Sequence, residues 1–189
     1  VKRGVEKLLR IIQTQRHDFL NHLQVVSGLL QLDKVDQARE YIKQVTAEMA
    51  LFSATTRVKI PEVTAALLGG LHQAAMYQVV LKLTVKSDLG ECSLPGPVAG
   101  KAIENIFDTA ISVVTSPLAE EVYMEMVLED AGEGYVGRVI LPELSSAEIG
   151  QMEKDLTVIK NLLQPYQGSV QMITSSKEVV IILFFPGKK

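Results

Sequence analysis

Apolar positions recur at helical spacing through the first fifty residues and at alternating spacing through much of the remainder, and this change of period divides the chain. At 3.6 residues per turn, Val5, Leu8, Leu9, Ile12, Phe19, Leu23, Val26 and Leu30 fall on one face of a helix predicted from about Lys2 to Leu32. They are expected to form its buried stripe. Arg10, Gln13, His17, Asn21, Gln24 and Gly28 make a separate, mostly polar row. Ile11, Val25 and Leu29 add a third apolar side, more than one partner helix can cover. Asp33-Lys34 is a short connection with Asp33 as the expected N-cap. Beyond it Val35, Ala38, Ile42, Val45, Met49 and Phe52 repeat as a heptad seam. So short a connection makes the two helices antiparallel neighbours. Their surplus apolar surface is most simply covered by a second copy, giving a dimeric four-helix bundle.

The seam fades over residues 53–59, and Ile60-Pro61 marks a boundary, because the residue before proline is biased away from helix. Two domains are therefore expected, 1–59 and 60–189. Pro61 opens a helix that continues through Leu67, Leu68, Leu71 and Ala75, and Gly69-Gly70 in its middle suggests close approach of another element. Residues 79–85, 122–129, 135–141, 169–173 and 179–185 read as strands, with helices over residues 98–114 and from Ser145 or Ser146 to about Gln164. The fold class is α+β: a helical hairpin followed by a two-layer α/β sandwich.

Composition narrows the function. A formal charge of −3 and 47% hydrophobic residues carry no strong field, so no nucleic-acid partner is expected. Cys92 is the single cysteine, with no histidines at metal-ligand spacing, so no metal site is expected and a reducing, cytoplasmic setting fits. No apolar run reaches the roughly 18 residues of a membrane span. The chain opens on Val1 rather than methionine, which leaves room for a sensor segment upstream.

The candidate chemistry sits in Arg16-His17-Asp18-Phe19-Leu20-Asn21-His22-Leu23-Gln24. His17 lies off the apolar stripe, open to a partner. An imidazole, with an ordinary pKa of about 6.5, is a nucleophile near neutral pH and can hold a phosphoryl group on nitrogen. Asp18 can orient the ring or take its proton, and Asn21, one turn on, can donate to a phosphoryl oxygen. His22 lies nearer the apolar side and reads as a packing or boundary residue, and His72 as structural or surface.

Arg16-His17-Asp18, Asn21, Leu23-Gln24 and Gly28-Leu29-Leu30-Gln31-Leu32, continuing into Ala38 and Glu40-Tyr41-Ile42, resemble the phosphoacceptor box of the citrate/fumarate-type sensor histidine kinases and of the related sporulation-initiation phosphotransferase B. The resemblance implies that His17 is phosphorylated, with Asp18 and Asn21 as its assistants. Arg16, Gln24 and Gly28 are expected in the docking surface for a response-regulator receiver domain.

Residues 61–186 resemble the ATP-binding domain of the histidine kinase, gyrase and Hsp90 superfamily, with altered boxes. Glu104-Asn105-Ile106-Phe107-Asp108-Thr109-Ala110 is similar to the asparagine box, but Thr109 stands where the family's second asparagine helps hold Mg²⁺. Asp130-Ala131-Gly132-Glu133-Gly134 matches the family's Asp-x-Gly-x-Gly literally. It follows one strand rather than two, and so reads as a hairpin turn. Leu141-Pro142-Glu143-Leu144 occupies the true position of that box. Asp155-Leu156-Thr157-Val158-Ile159 replaces the Gly-Leu-x-Ile-Val expected at a helix start, and the lid shrinks to a few residues around Ser145–Gly150. The resemblance therefore implies a histidine phosphotransferase that passes a phosphoryl group between receiver aspartates through His17. Asn105, Thr109 and Asp155 are then vestigial, no intrinsic cofactor is needed, and Mg²⁺ comes with the receiver. The alternatives are a sensor histidine kinase core that phosphorylates His17 with ATP and Mg²⁺, and a non-catalytic dimeric scaffold that binds a regulator.

Overall fold

The computed structural model describes residues 2–114 and 122–188, with side chains from Arg16 onwards except those of Asp18, Glu48 and Val122. The Val5, Leu8, Leu9, Arg10, Ile11, Ile12 and Gln13 side chains of the helical pattern lie outside the described residues. The chain divides into two compact units, Val1–Ala50 and Leu51–Lys189.

The first unit is built from α1 (Lys2–Gln31) and most of α2 (Val35–Thr55). Asp33 is not the N-cap of α2. It takes the left-handed conformation, φ 55°, while Asp33 N–H donates to Leu30 O at 3.1 Å and Lys34 N–H to Leu29 O at 2.9 Å. These two bonds are a Schellman motif, which ends α1 by satisfying its last carbonyls, and aspartate tolerates the left-handed position. The Lys34 carbonyl then accepts from Ala38 N–H to begin α2. A second correction concerns the stripe. Phe19, Leu23 and Leu30 are about half exposed, while His22, Val26 and Leu29 are half-buried. Among the described side chains, the covered face of α1 thus shares Val26 with the expected stripe and adds His22 and Leu29 beside it. In the heptad seam, Ala38 is buried and Val45 half-buried, but Val35, Ile42 and Met49 remain exposed.

The second unit continues with α3 (Pro61–Met76), β1 (Val79–Val85), α4 (Gly96–Val114), β2 (Val122–Asp130), β3 (Gly134–Pro142), α5 (Ser146–Leu163), a 3-10 turn (Gln164–Tyr166), β4 (Ser169–Thr174) and β5 (Glu178–Pro186). It begins inside α2, ahead of the Ile60-Pro61 boundary. Leu51 packs on the core and Val58 is part of it, and the Thr64 hydroxyl donates to the Val58 carbonyl at 3.3 Å.

The sheet order is β1-β2-β3-β5-β4. β1 runs parallel to β2 through the α4 crossover, and the other pairs are antiparallel. Alternation decides which side chains face inward. Met124, Met126 and Leu128 of β2 and Val179, Ile181, Leu183 and Phe185 of β5 pack in one core with Ile103, Ile106 and Phe107 of α4 and Met152, Leu156 and Ile159 of α5. α3 and α4 meet closely through glycine on both helices. A Cβ at Gly70 would run into the Phe107 ring, and one at Gly100 would lie 2.8 Å from the Glu62 backbone. Gly69, by contrast, faces open space.

Candidate functional site

Arg16, His17, Asn21 and Gln24 are all exposed on α1, and Gly28 is half-buried with nothing within 4 Å of where its Cβ would be. One helical turn brings the Asn21 side-chain nitrogen to 3.1 Å from His17 Nδ1. The amide can meet this nitrogen in either tautomer: its NH₂ donates to an unprotonated Nδ1, and its oxygen accepts from a protonated one. Asn21 therefore holds one edge of the ring. The backbone of Asp18 lies in α1, and its side chain lies outside the described residues.

His22 adds what the sequence does not reveal directly. Its Nδ1 is 2.8 Å from the Tyr41 hydroxyl of α2, with ring centroids 5.8 Å apart and planes tilted by 52°. A signal exists nonetheless. In an antiparallel hairpin turning at Leu32–Lys34, residues 22 and 41 stand at similar distances from the turn, on facing arms.

The nucleotide-box residues do not converge. Asn105, Asp108, Thr109, Ser112, Asp155 and Val158 line a cavity of about 380 Å³ between α4 and α5. The Asp130–Gly134 segment joins antiparallel β2 and β3, with Asp130 paired to Tyr135 and Ala131 N–H donating to Gly134 O at 2.8 Å. Gly132 supplies the positive φ, 68°. This turn lines a different cavity, with Glu91, Gln167 and Lys188. The literal Asp-x-Gly-x-Gly is therefore a hairpin turn.

Two expectations about the phosphate region need correction. Asp155 is not at a helix start but well inside α5, where it accepts from Gln151 Nε2 at 3.1 Å. Residues 146–150 are not a loop but the first turn of α5, whose N-cap Ser145 makes a capping box with Glu148. The α4/α5 groove does not fit a magnesium-bound triphosphate. Asp108 and Asp155 line it, Thr109 is largely buried, and every lining residue lies inside a helix rather than at an N-terminus, where backbone N–H groups favour anions. Asp108 is also engaged by Gln73 Nε2 of α3 at 3.0 Å. Among the described residues no group of three or more His, Cys, Asp or Glu can hold a metal ion. No helix there is long and apolar enough to cross a membrane.

Burial raises the Cys92 thiol pKa, which argues against a reactive thiolate. Asp88 is held below the usual carboxylate range by its hydrogen bond to Lys59. Glu129 is lowered similarly by Lys86, with Arg138 also close. All three lie in the α/β unit and hold structure together.

The comparisons with known proteins concern the two units separately. Residues 2–58 match the family model of the SpoOB-type sensor kinase alpha-helical domain. The chain is 31% identical over 118 residues to the sensor protein CitS of Halalkalibacterium halodurans, a match covering 58% of this chain and 22% of that protein. It thus spans about a fifth of the relative's length. Two nucleotide-free crystal forms of the catalytic domain of histidine kinase ThkA superpose on 68% of this chain and on 92% and 94% of theirs, each with a TM-score of 0.53, at 12% and 9% identity. That likeness is one of fold. The chain thus joins a segment similar to the SpoOB-type helical domain to an α/β domain with the fold of a histidine kinase catalytic domain.

Proposed function

We propose that this chain is a phosphohistidine module of two-component signalling, in which His17 exchanges a phosphoryl group with the aspartate of a response-regulator receiver domain. The observation that carries the reading is His17 itself, exposed on α1 with Asn21 at 3.1 Å from Nδ1. Nε2, across the ring from the Asn21 contact, is the nitrogen assigned to attack. In the tautomer whose Nδ1–H donates to the Asn21 carboxamide oxygen, the Nε2 lone pair forms the N–P bond while the P–O bond to the receiver's acyl phosphate breaks, leaving the aspartate as a carboxylate, and the ring then sheds its Nδ1 proton to solvent or to Asp18. The reaction runs in reverse when a receiver accepts. Charge on the transferred group is stabilised by the receiver's own Mg²⁺ site, so the carrier has only to present an oriented nucleophile. Arg16, Gln24 and Gly28 are assigned to the docking surface, and the exposed apolar residues of α1 and α2 to a second copy.

The phosphoryl source divides two readings. The likeness to sensor kinases favours a kinase core supplied by ATP. Phosphotransfer between receivers is favoured by a separate observation, the division of the nucleotide-box residues between two cavities and the poor fit of the α4/α5 groove to a triphosphate. Calorimetric titration with Mg²⁺-ATP, beside labelling with [γ-³²P]ATP, separates them. Binding and label on His17 support the kinase core; no binding, with label arriving from a phosphorylated receiver domain, supports the relay. His17→Gln is expected to abolish labelling from every donor while leaving the helical circular dichroism unchanged. A His17→Gln protein that still takes up acid-labile phosphate overturns the assignment.

A further inference from the structure

We propose that the His22–Tyr41 hydrogen bond is a latch that fixes the rotation of α1 on α2 and thereby sets where His17 is presented; the inference rests on His17 being the phosphoacceptor. Five residues separate the two histidines, about 140° around the helix axis, so the turn of α1 that directs His22 inward directs His17 outward. His22 is half-buried, and its Nδ1 meets the Tyr41 hydroxyl at 2.8 Å. The hydroxyl can donate to this nitrogen or accept from it, so the contact survives either tautomer of the ring.

Apolar packing around the latch does not define the same angle. Phe19, Leu20 and Leu23 each remain about half exposed, and apolar burial is in any case non-directional. A hydrogen bond has a preferred distance and angle. The consequence for His17 is geometric. Its ring lies about 6 Å from the helix axis, so a 10° rotation of α1 shifts the attacking nitrogen by about 1 Å, a displacement that can cost about 100-fold in a reaction requiring alignment. Tyr41 and His22 are thus positioning residues, acting through the helix and touching neither the phosphoryl group nor the receiver.

The test uses two donors. Phosphoramidate is small and approaches His17 from any direction, whereas a receiver domain phosphorylated with acetyl phosphate has to dock. In Tyr41→Phe, which keeps the ring and removes the hydroxyl, phosphoramidate labelling of His17 is expected within twofold of wild type. Transfer from the receiver that exchanges with wild type is expected to slow at least tenfold, at a temperature where both proteins have the same helical circular dichroism. His22→Gln, whose amide can pair with Tyr41, should retain transfer within threefold, and His22→Leu should behave like Tyr41→Phe. Should Tyr41→Phe lose helicity, the two His22 variants decide. Receiver transfer at the wild-type rate in Tyr41→Phe or His22→Leu overturns the latch, as does equal slowing with both donors, which signals a damaged helix rather than a misdirected one. Wild-type protein labelled by neither donor is a separate failure, because it removes the phosphoacceptor reading itself before any variant is compared.

Discussion

Among the described side chains of residues 16–50, Ala38 is the one fully covered, whereas the α/β unit carries a continuous core in which Val63, Leu67, Ile103, Ile106, Met124, Val139 and Ile181 have no exposed surface. The two regions are similarly rich in apolar residues but differ in what those residues meet. In the α/β unit, three helices cover one face of a five-stranded sheet, and each inward side chain finds a neighbour within the same chain. In the hairpin, by contrast, Phe19, Leu20, Leu23, Leu30, Ile42 and Met49 stay 41–52% exposed. Large exposed apolar patches mark interaction sites in general. One region is complete within a single chain, while the other keeps apolar surface that the proposed pairing with a second copy would cover.

Removing that second copy is the strongest way to break the contrast. Leu23→Asp puts a charge on the surface assigned to pairing, and burying a leucine there is worth about 1.5–3 kcal/mol per copy. Sedimentation is expected to show a dimer for wild type at micromolar concentration and a monomer for the variant, with the thermal transition of the α/β unit unchanged. A wild-type monomer would refute the idea that the half-exposed stripe is an interface, and would leave the hairpin with an apolar surface of unknown purpose.

The converse experiment attacks the completed region. Phe107 is 1% exposed and fills the space left open by Gly70 on α3. Phe107→Ala leaves a cavity between α3, α4 and the sheet, and is expected to cost about 3–5 kcal/mol in urea denaturation of the α/β unit. Phosphoramidate labelling of His17 should persist in conditions where that unit has become unstable. Loss of both together would show that the hairpin depends on the α/β unit, and would erase the distinction between them.

Legibility in the sequence follows the same division. The strands can be read because alternation is a local property: it bounds Val79–Val85 correctly at both ends, and β2 and β3 to within one residue at each end. Ser145 can be read as a cap because its partner Glu148 lies three residues away. By contrast, the covered face of α1 depends on what packs against it, so periodicity places Phe19, Leu23 and Leu30 in a buried stripe that this chain alone leaves half exposed. Asp33 is ambiguous because aspartate suits both an N-cap and a left-handed C-terminal position, and the choice is made by bonds to Leu29 and Leu30 on the preceding helix. At the candidate site, the His17–Asn21 pair is visible as an i, i+4 spacing. The His22–Tyr41 contact requires the two arms to be folded together, and the Gln73–Asp108 bond requires the crossing of α3 with α4.

The smallest effect sharpens the contrast at a single helix end. Glu148 lies below the usual carboxylate range because the Ser145 hydroxyl, and then the Ser145 backbone N–H, donate to its ionised form. A carboxylate whose folded pKa is depressed contributes stability above its unfolded value, about 4.3 for glutamate, and loses it as pH falls through the lower folded value. Ser145→Ala removes the hydroxyl from this capping box and is expected to destabilise the α/β unit by about 1 kcal/mol at neutral pH. The part of that loss owed to Glu148 should shrink as the pH is taken below about 4, so urea midpoints of wild type and variant should approach each other there. Solvent screening keeps this part small, because the box is exposed. Hairpin association should be indifferent to the same substitution. A change in dimer dissociation on Ser145→Ala would mean that the cap at the start of α5 reaches the bundle, and that the two regions are coupled rather than separately completed.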